Sequence, residues 1–75
     1  MTVYAYRIGC VPRIAYEAIN EKCKALGGGT IYHGASSDGT DISVAAPDKR
    51  VLERMCDRIG VRFIRDYVYE TDGYD

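Results

Sequence analysis

The 75-residue chain contains no tryptophan, one phenylalanine, one histidine and two prolines, and its apolar runs are only a few residues long. A bilayer span needs roughly 20 consecutive apolar residues, so no transmembrane helix and no membrane partner are expected. The first residues, Met1-Thr2-Val3-Tyr4-Ala5-Tyr6-Arg7, lack the charged start, apolar centre and small-residue cleavage site of a signal peptide. A cytoplasmic location is therefore expected. The three cysteines, Cys10, Cys23 and Cys56, are odd in number and widely spaced. They form neither a disulfide framework nor a zinc-ligand set, and no metal or cofactor is expected. Charge of one sign is also missing: the net charge is −1, which offers no bulk attraction to nucleic acid or an acidic membrane.

What is present is an ordinary globular composition, 47% hydrophobic and 28% charged, so disorder is not expected. The length allows one domain, at the lower limit of independent folding. β-branched and aromatic content predicts a first strand over 2–8 and a turn at Gly9-Cys10-Val11. A helix then opens at Pro12 and carries Ala15, Ile19, Cys23 and Leu26 at helical spacing, with Gly27 as its left-handed cap. Segments 30–36 and 41–46 read as a hairpin around Asp38-Gly39, with Ala35 facing Ile42, His33 facing Val44 and Ile31 facing Ala46. Pro47 and Asp48 open a second helix with a stripe of Val51, Leu52, Met55 and Ile59, closed by Gly60. A last strand covers 62–70, and 71–75 is an acidic tail. The single domain 1–75 is thus predicted to be α+β with the order β-α-β-β-α-β. This order resembles the ferredoxin-like arrangement: a four-stranded antiparallel sheet, strand order 4-1-3-2, with two helices on one face.

Strand alternation then assigns the faces. Val3 and Ala5, Ile31 and Ala35, Ile42, Val44 and Ala46, and Ile64 and Val68 are taken as the side under the helices. The opposite side carries Tyr4, Tyr6, Tyr32, Phe63, Arg65, Tyr67 and Tyr69. A contiguous aromatic patch marks an interaction site, and tyrosine suits protein interfaces. The expected use is partner binding or homodimerisation through the sheet face. The bland alternative is a set of ordinary cross-strand pairs.

Charge is unevenly distributed. Arg50, Arg54 and Arg58 share a stripe on the second helix, which as a solvated face would be relieved by pairs such as Lys49 with Glu53. Asp66, Glu70, Asp72 and Asp75 follow without a basic residue among them. Carboxylates interleaved with tyrosines suit an Arg/Lys-rich protein surface of the kind that binds nucleic acid.

No chemistry-bearing constellation stands out. Cys10 before a helix, with His33 and Asp41, would have to converge to act as a nucleophile pair. Gly27-Gly28-Gly29 ends a helix rather than opening one and is no phosphate loop. Val3-Tyr4-Ala5-Tyr6 resembles the first-strand motif of RNA-recognition motifs, which stack bases on sheet aromatics. The segment 41–46 has neither ring nor positive charge where that family's third-strand motif stands, so direct nucleic-acid binding is not expected. A compact domain with an aromatic face and an acidic tail is similar in category to small phage-encoded inhibitors, anti-CRISPR proteins among them, although no shared motif carries the likeness. That resemblance implies a viral, non-enzymatic inhibitor that occludes the nucleic-acid-binding surface of a host defence complex. The partner-binding residues would be Tyr4, Tyr6, Tyr32, Arg65, Tyr67, Tyr69, Glu70, Asp72 and Asp75. An RNA- or small-ligand-binding regulatory domain is the alternative.

Overall fold

Strand-forming and helix-forming stretches alternate as the sequence predicts. The computed structural model describes residues 2–59 and 68–74. Its elements are β1 (Val3–Val11), α1 (Arg13–Ala25), β2 (Gly29–Ser36), β3 (Gly39–Ala46), α2 (Lys49–Ile59) and β4 (Val68–Thr71). The four strands form one antiparallel sheet in the order β2-β3-β1-β4. The proposed cap at Gly60, the start of the last strand, and Phe63, Ile64, Arg65, Asp66, Tyr67 and Asp75 lie outside the described residues.

Both helix ends at the sheet follow from local chemistry. Gly27 has φ +96°, and the amides of Gly27 and Gly28 donate to the carbonyls of Lys24 (3.2 Å) and Cys23 (2.8 Å). This is a Schellman ending, which satisfies carbonyls that the helix itself cannot pair. Gly28 is required by space rather than by φ: a Cβ there would lie 2.3 Å from the Ala45 carbonyl oxygen and 2.5 Å from Met55 Sδ. At the start of α2 the Asp48 carboxylate accepts the Arg50 amide at 2.6 Å, an N-cap beside the positive end of the helix dipole.

The hairpin forms, with a shifted turn. Ser37-Asp38 is the two-residue loop and Ser36 faces Gly39. The Ser36 hydroxyl organises it, accepting the Asp38 amide at 3.3 Å. Gly39 is needed for a close approach instead: a Cβ on it would lie 2.3 Å from the Val11 carbonyl oxygen.

The face assignment is where sequence and structure part. The β2–β3 ladder shifts register between Tyr32 and Gly34, and the β1–β3 ladder between Arg7 and Gly9. Side chains alternate with period two, so one extra residue turns every later side chain to the other face. Tyr32 therefore sits beside Ile42 and Thr30 beside Val44, while Ile31 faces Ser43. In β1, Tyr4 pairs with Ala46 and Tyr6 with Val44. The expected outward placement of Tyr4, Tyr6 and Tyr32 is corrected: all three stand on the helix side. Gly9, at φ +80°, absorbs the extra residue, so β1 continues to Val11 where a turn was expected.

Volume explains the inversion. The helices bring small groups inward, Ala15, Cys23 and Cys56, and the Tyr6 ring is buried in the same cluster. Tyr6 is 8% exposed and belongs to one cluster with Val44, Leu52 and Met55. Burial also pushes the Cys23 thiol up to about 11, as befits a core hydrophobe. On the opposite face the small residues Val3, Ala5 and Ala45 form a second cluster, covered by Ile31, Tyr69 and Tyr74. The helix layer spans β2, β3 and β1, with α1 on β2 and β3 and α2 on β3 and β1; β4 lies beyond it, packed on β1. Thr71 pairs with Val3, so the last strand runs one residue further than expected.

Replacing Tyr6 by serine is expected to lower stability by about 3–5 kcal/mol, the cost of emptying a buried ring site. Replacing the exposed Tyr32 the same way should cost under about 1 kcal/mol. Urea denaturation followed by circular dichroism separates the two, and equal midpoints would contradict the helix-side position of Tyr6.

Candidate functional site

The face away from the helices carries a polar network built from three strands. Ala5 and Ala45 are small and fully buried, which lets the Tyr69 side chain pass from β4 across β1 to β3. There its hydroxyl donates to Ser43 Oγ at 2.6 Å. His33, at the irregular point of β2, reaches the same hydroxyl from the other edge, with Nε2 2.8 Å from Ser43 Oγ and 3.0 Å from the Tyr69 hydroxyl. With the imidazole proton on Nδ1, Nε2 accepts from Ser43 while Ser43 accepts from Tyr69, which satisfies each hydroxyl. Ser43 has no exposed surface, and its hydroxyl ties the two edge strands together.

Next to it, Arg7 forms an ion pair with Asp41 Oδ2. The hydrogen bond from Arg7 is the largest of the influences that hold the Asp41 carboxyl below the usual carboxylate range. Cys10 stands opposite Asp41 in the ladder rather than at a helix entrance, and its sulfur lies 3.9 Å from Ser36 Oγ. The imidazole bonds to Ser43 and Tyr69 instead, so thiol and histidine are not joined as a catalytic pair. Among the described residues, no group of three His, Cys, Asp or Glu side chains is placed to hold a metal ion. Among them too, no helix is long and apolar enough to cross a membrane.

The residues read from the sequence as one surface are divided. Tyr4 is half-buried with the Lys49 ammonium 5.2 Å from its ring centre, and Lys49 is engaged there rather than with Glu53. Tyr6 is core. Tyr32 lies on the far edge strand, 54% exposed and edge-on to Tyr16 at 6.5 Å. The stacking platform that an RNA-recognition reading requires therefore stands on the helix side. Glu70 and Asp72 are brought together near the other edge, both exposed and neither in an ion pair with a described residue. Arg65, Tyr67 and Asp75 fall outside the described residues.

The joining of His33 and Ser43 to Tyr69, and the return of Tyr74 to the sheet, are what the sequence reading did not foresee. Ser43 was legible as the only hydroxyl in an otherwise apolar stretch from Ile42 to Ala46. Tyr74 folds back so that its hydroxyl donates to the Gly27 carbonyl at 3.3 Å, which makes part of the expected acidic tail a strap over the second cluster. No protein-family model matches this chain, and no curated protein or solved structure matched it.

Ser43→Ala leaves the Tyr69 hydroxyl and His33 without their shared partner and should cost about 1–3 kcal/mol. Combined with Tyr69→Phe, the loss should be less than the sum, because both changes remove the same bond. Hydrogen exchange at the β4 amides should quicken in either variant; unchanged exchange would show that the network does not hold β4.

Proposed function

We propose that this chain is a small non-enzymatic protein-binding module of the ferredoxin-like class that presents an acidic edge to a basic partner surface. The fold class is supported by the element order and by the strand order, which counted from β4 is 4-1-3-2. The observation that carries the function is the pair Glu70 and Asp72, exposed and unpaired among the described residues, on and just after a strand anchored by the Tyr69–Ser43 bond. Unpaired carboxylates on an anchored edge lose little freedom when a partner arrives. Their charge steers encounter with a surface of opposite sign. Because the helices stop short of β4, Val68 beside them is also exposed, at 39%, and adds an apolar contact.

A protein surface that normally holds nucleic acid has the matching charge. A phage-encoded inhibitor of a host defence complex, of the anti-CRISPR kind, is the biological form of this reading. Asp75, Arg65 and Tyr67, which flank β4 in the sequence, complete the proposed set of contacts. The acidic edge makes the alternative, direct RNA binding, electrostatically unfavourable there.

The test is capture from a lysate of the host with the wild-type chain and with the E70K/D72K variant. The wild type is expected to retain a nucleic-acid-binding protein, to compete with its nucleic acid, and to release it as salt rises. The variant should bind at least about tenfold more weakly, equivalent to about 1.4 kcal/mol. Equal retention by both would remove the acidic edge from the account, and tight, salt-steep RNA binding by the chain alone would favour the RNA-binding alternative.

A further inference from the structure

Asp41 is flanked on both sides by strands that have just lost their regular register: β1 returns to pairing at Gly9 and Cys10, and β2 at Gly34. Irregularities of this kind splay a sheet locally and occur beside binding sites. Here they open a groove of about 530 Å³ lined by Arg7, Gly9, Cys10, Gly34, Ser36 and Asp41, with Ala35 at its margin. Added Cβ atoms at Gly9 and Gly34 would meet nothing within 4 Å, so the backbone itself leaves this space open.

We propose that this groove binds a free α-amino acid in its zwitterionic form. Among the described residues its charged lining is a cation and an anion side by side, with the Arg7 and Asp41 side chains 45% and 34% exposed. A lone anion such as phosphate would be repelled by Asp41, and a lone cation by Arg7. A guest carrying both charges in contact cancels both repulsions when it lies antiparallel to the pair. Its ammonium then sits against Asp41 and its carboxylate against Arg7, closing a ring of four alternating charges. In an α-amino acid the two groups share one carbon, which matches the direct contact between Arg7 and Asp41. The Ser36 hydroxyl and the Cys10 thiol border the space left for the guest's side chain. The site lies on a different part of the sheet from β4, so it stands independently of the acidic edge.

Cys10 provides the readout, because it is exposed while Cys23 and Cys56 are buried. The wild-type chain is alkylated with iodoacetamide in the presence of each proteinogenic α-amino acid except cysteine, whose thiol would consume the reagent, on the order of 10 mM, enough to fill sites as weak as about 1 mM. At least one is expected to slow Cys10 labelling severalfold, with matching amide shifts at Arg7 and Asp41 in nuclear magnetic resonance spectra. γ-Aminobutyrate, whose charges stand farther apart, and N-acetylglycine, which has no ammonium, should not protect. Arg7→Gln should abolish protection; Gly34→Phe, which starts on the Asp41 side of the sheet where an added Cβ meets nothing within 4 Å, should do the same in a protein that keeps its circular dichroism spectrum. Absence of protection by every α-amino acid tested, equal protection by the two controls, or protection that survives G34F would overturn the proposal.

Discussion

Two register shifts, one on each side of β3, govern the rest of the molecule. Each inserts a single residue, and each exchanges the faces of the strand that carries it. In β1 the shift lets both Tyr6, before it, and Val11, after it, stand in the helix-side core, and in β2 it puts Ile31 on the opposite face, where His33 also reaches Ser43. The same shifts bring Arg7 and Cys10, three residues apart, to the same side as Asp41. The core packing, the polar network and the groove are thus three consequences of one geometric device.

The helices, their caps and the order of elements were legible because each depends on local signals. Helical spacing picked out Ile19 and Cys23 in α1 and Leu52, Met55 and Ile59 in α2, all of them buried. Gly27 and Asp48 announced the helix ends in the same way. The strand faces were not legible from alternation, because both faces of β1 are apolar: Val3 and Ala5 on one, Tyr4 and Tyr6 on the other. Period two gives no direction when neither side is polar, and an unseen extra residue reverses whatever direction is chosen. An aliphatic set looked like the natural core, yet the small residues Ala15, Cys23 and Cys56 contributed by the helices leave a volume that suits a ring. The His33–Ser43–Tyr69 cluster was hidden for a related reason, since it joins three strands and becomes visible only once their register is known.

The inversion also changes what the surface offers. A broad aromatic face gives way to two separate features, an acidic edge at β4 and a polar groove at the hairpin end of the sheet. Small, fully buried residues make both possible: Ala5 and Ala45 let Tyr69 cross the sheet to Ser43, and that bond fixes the strand bearing Glu70. Tyr74 completes the cover by pinning the end of the chain to Gly27. A domain of this size has little core to spare, so placing hydroxyl-bearing rings on both sides of the sheet extends apolar burial to the face the helices do not reach.

The central claim is the side of the sheet on which the β1 tyrosines stand. Nuclear Overhauser contacts from the Tyr6 ring protons test it directly in solution. The account requires contacts to the methyl groups of Val44, its ladder partner, and to those of Leu52 and Met55 in the same cluster. Contacts to Ala5, Ala45 and the Tyr69 ring in their place would return the tyrosines to the open face and contradict it.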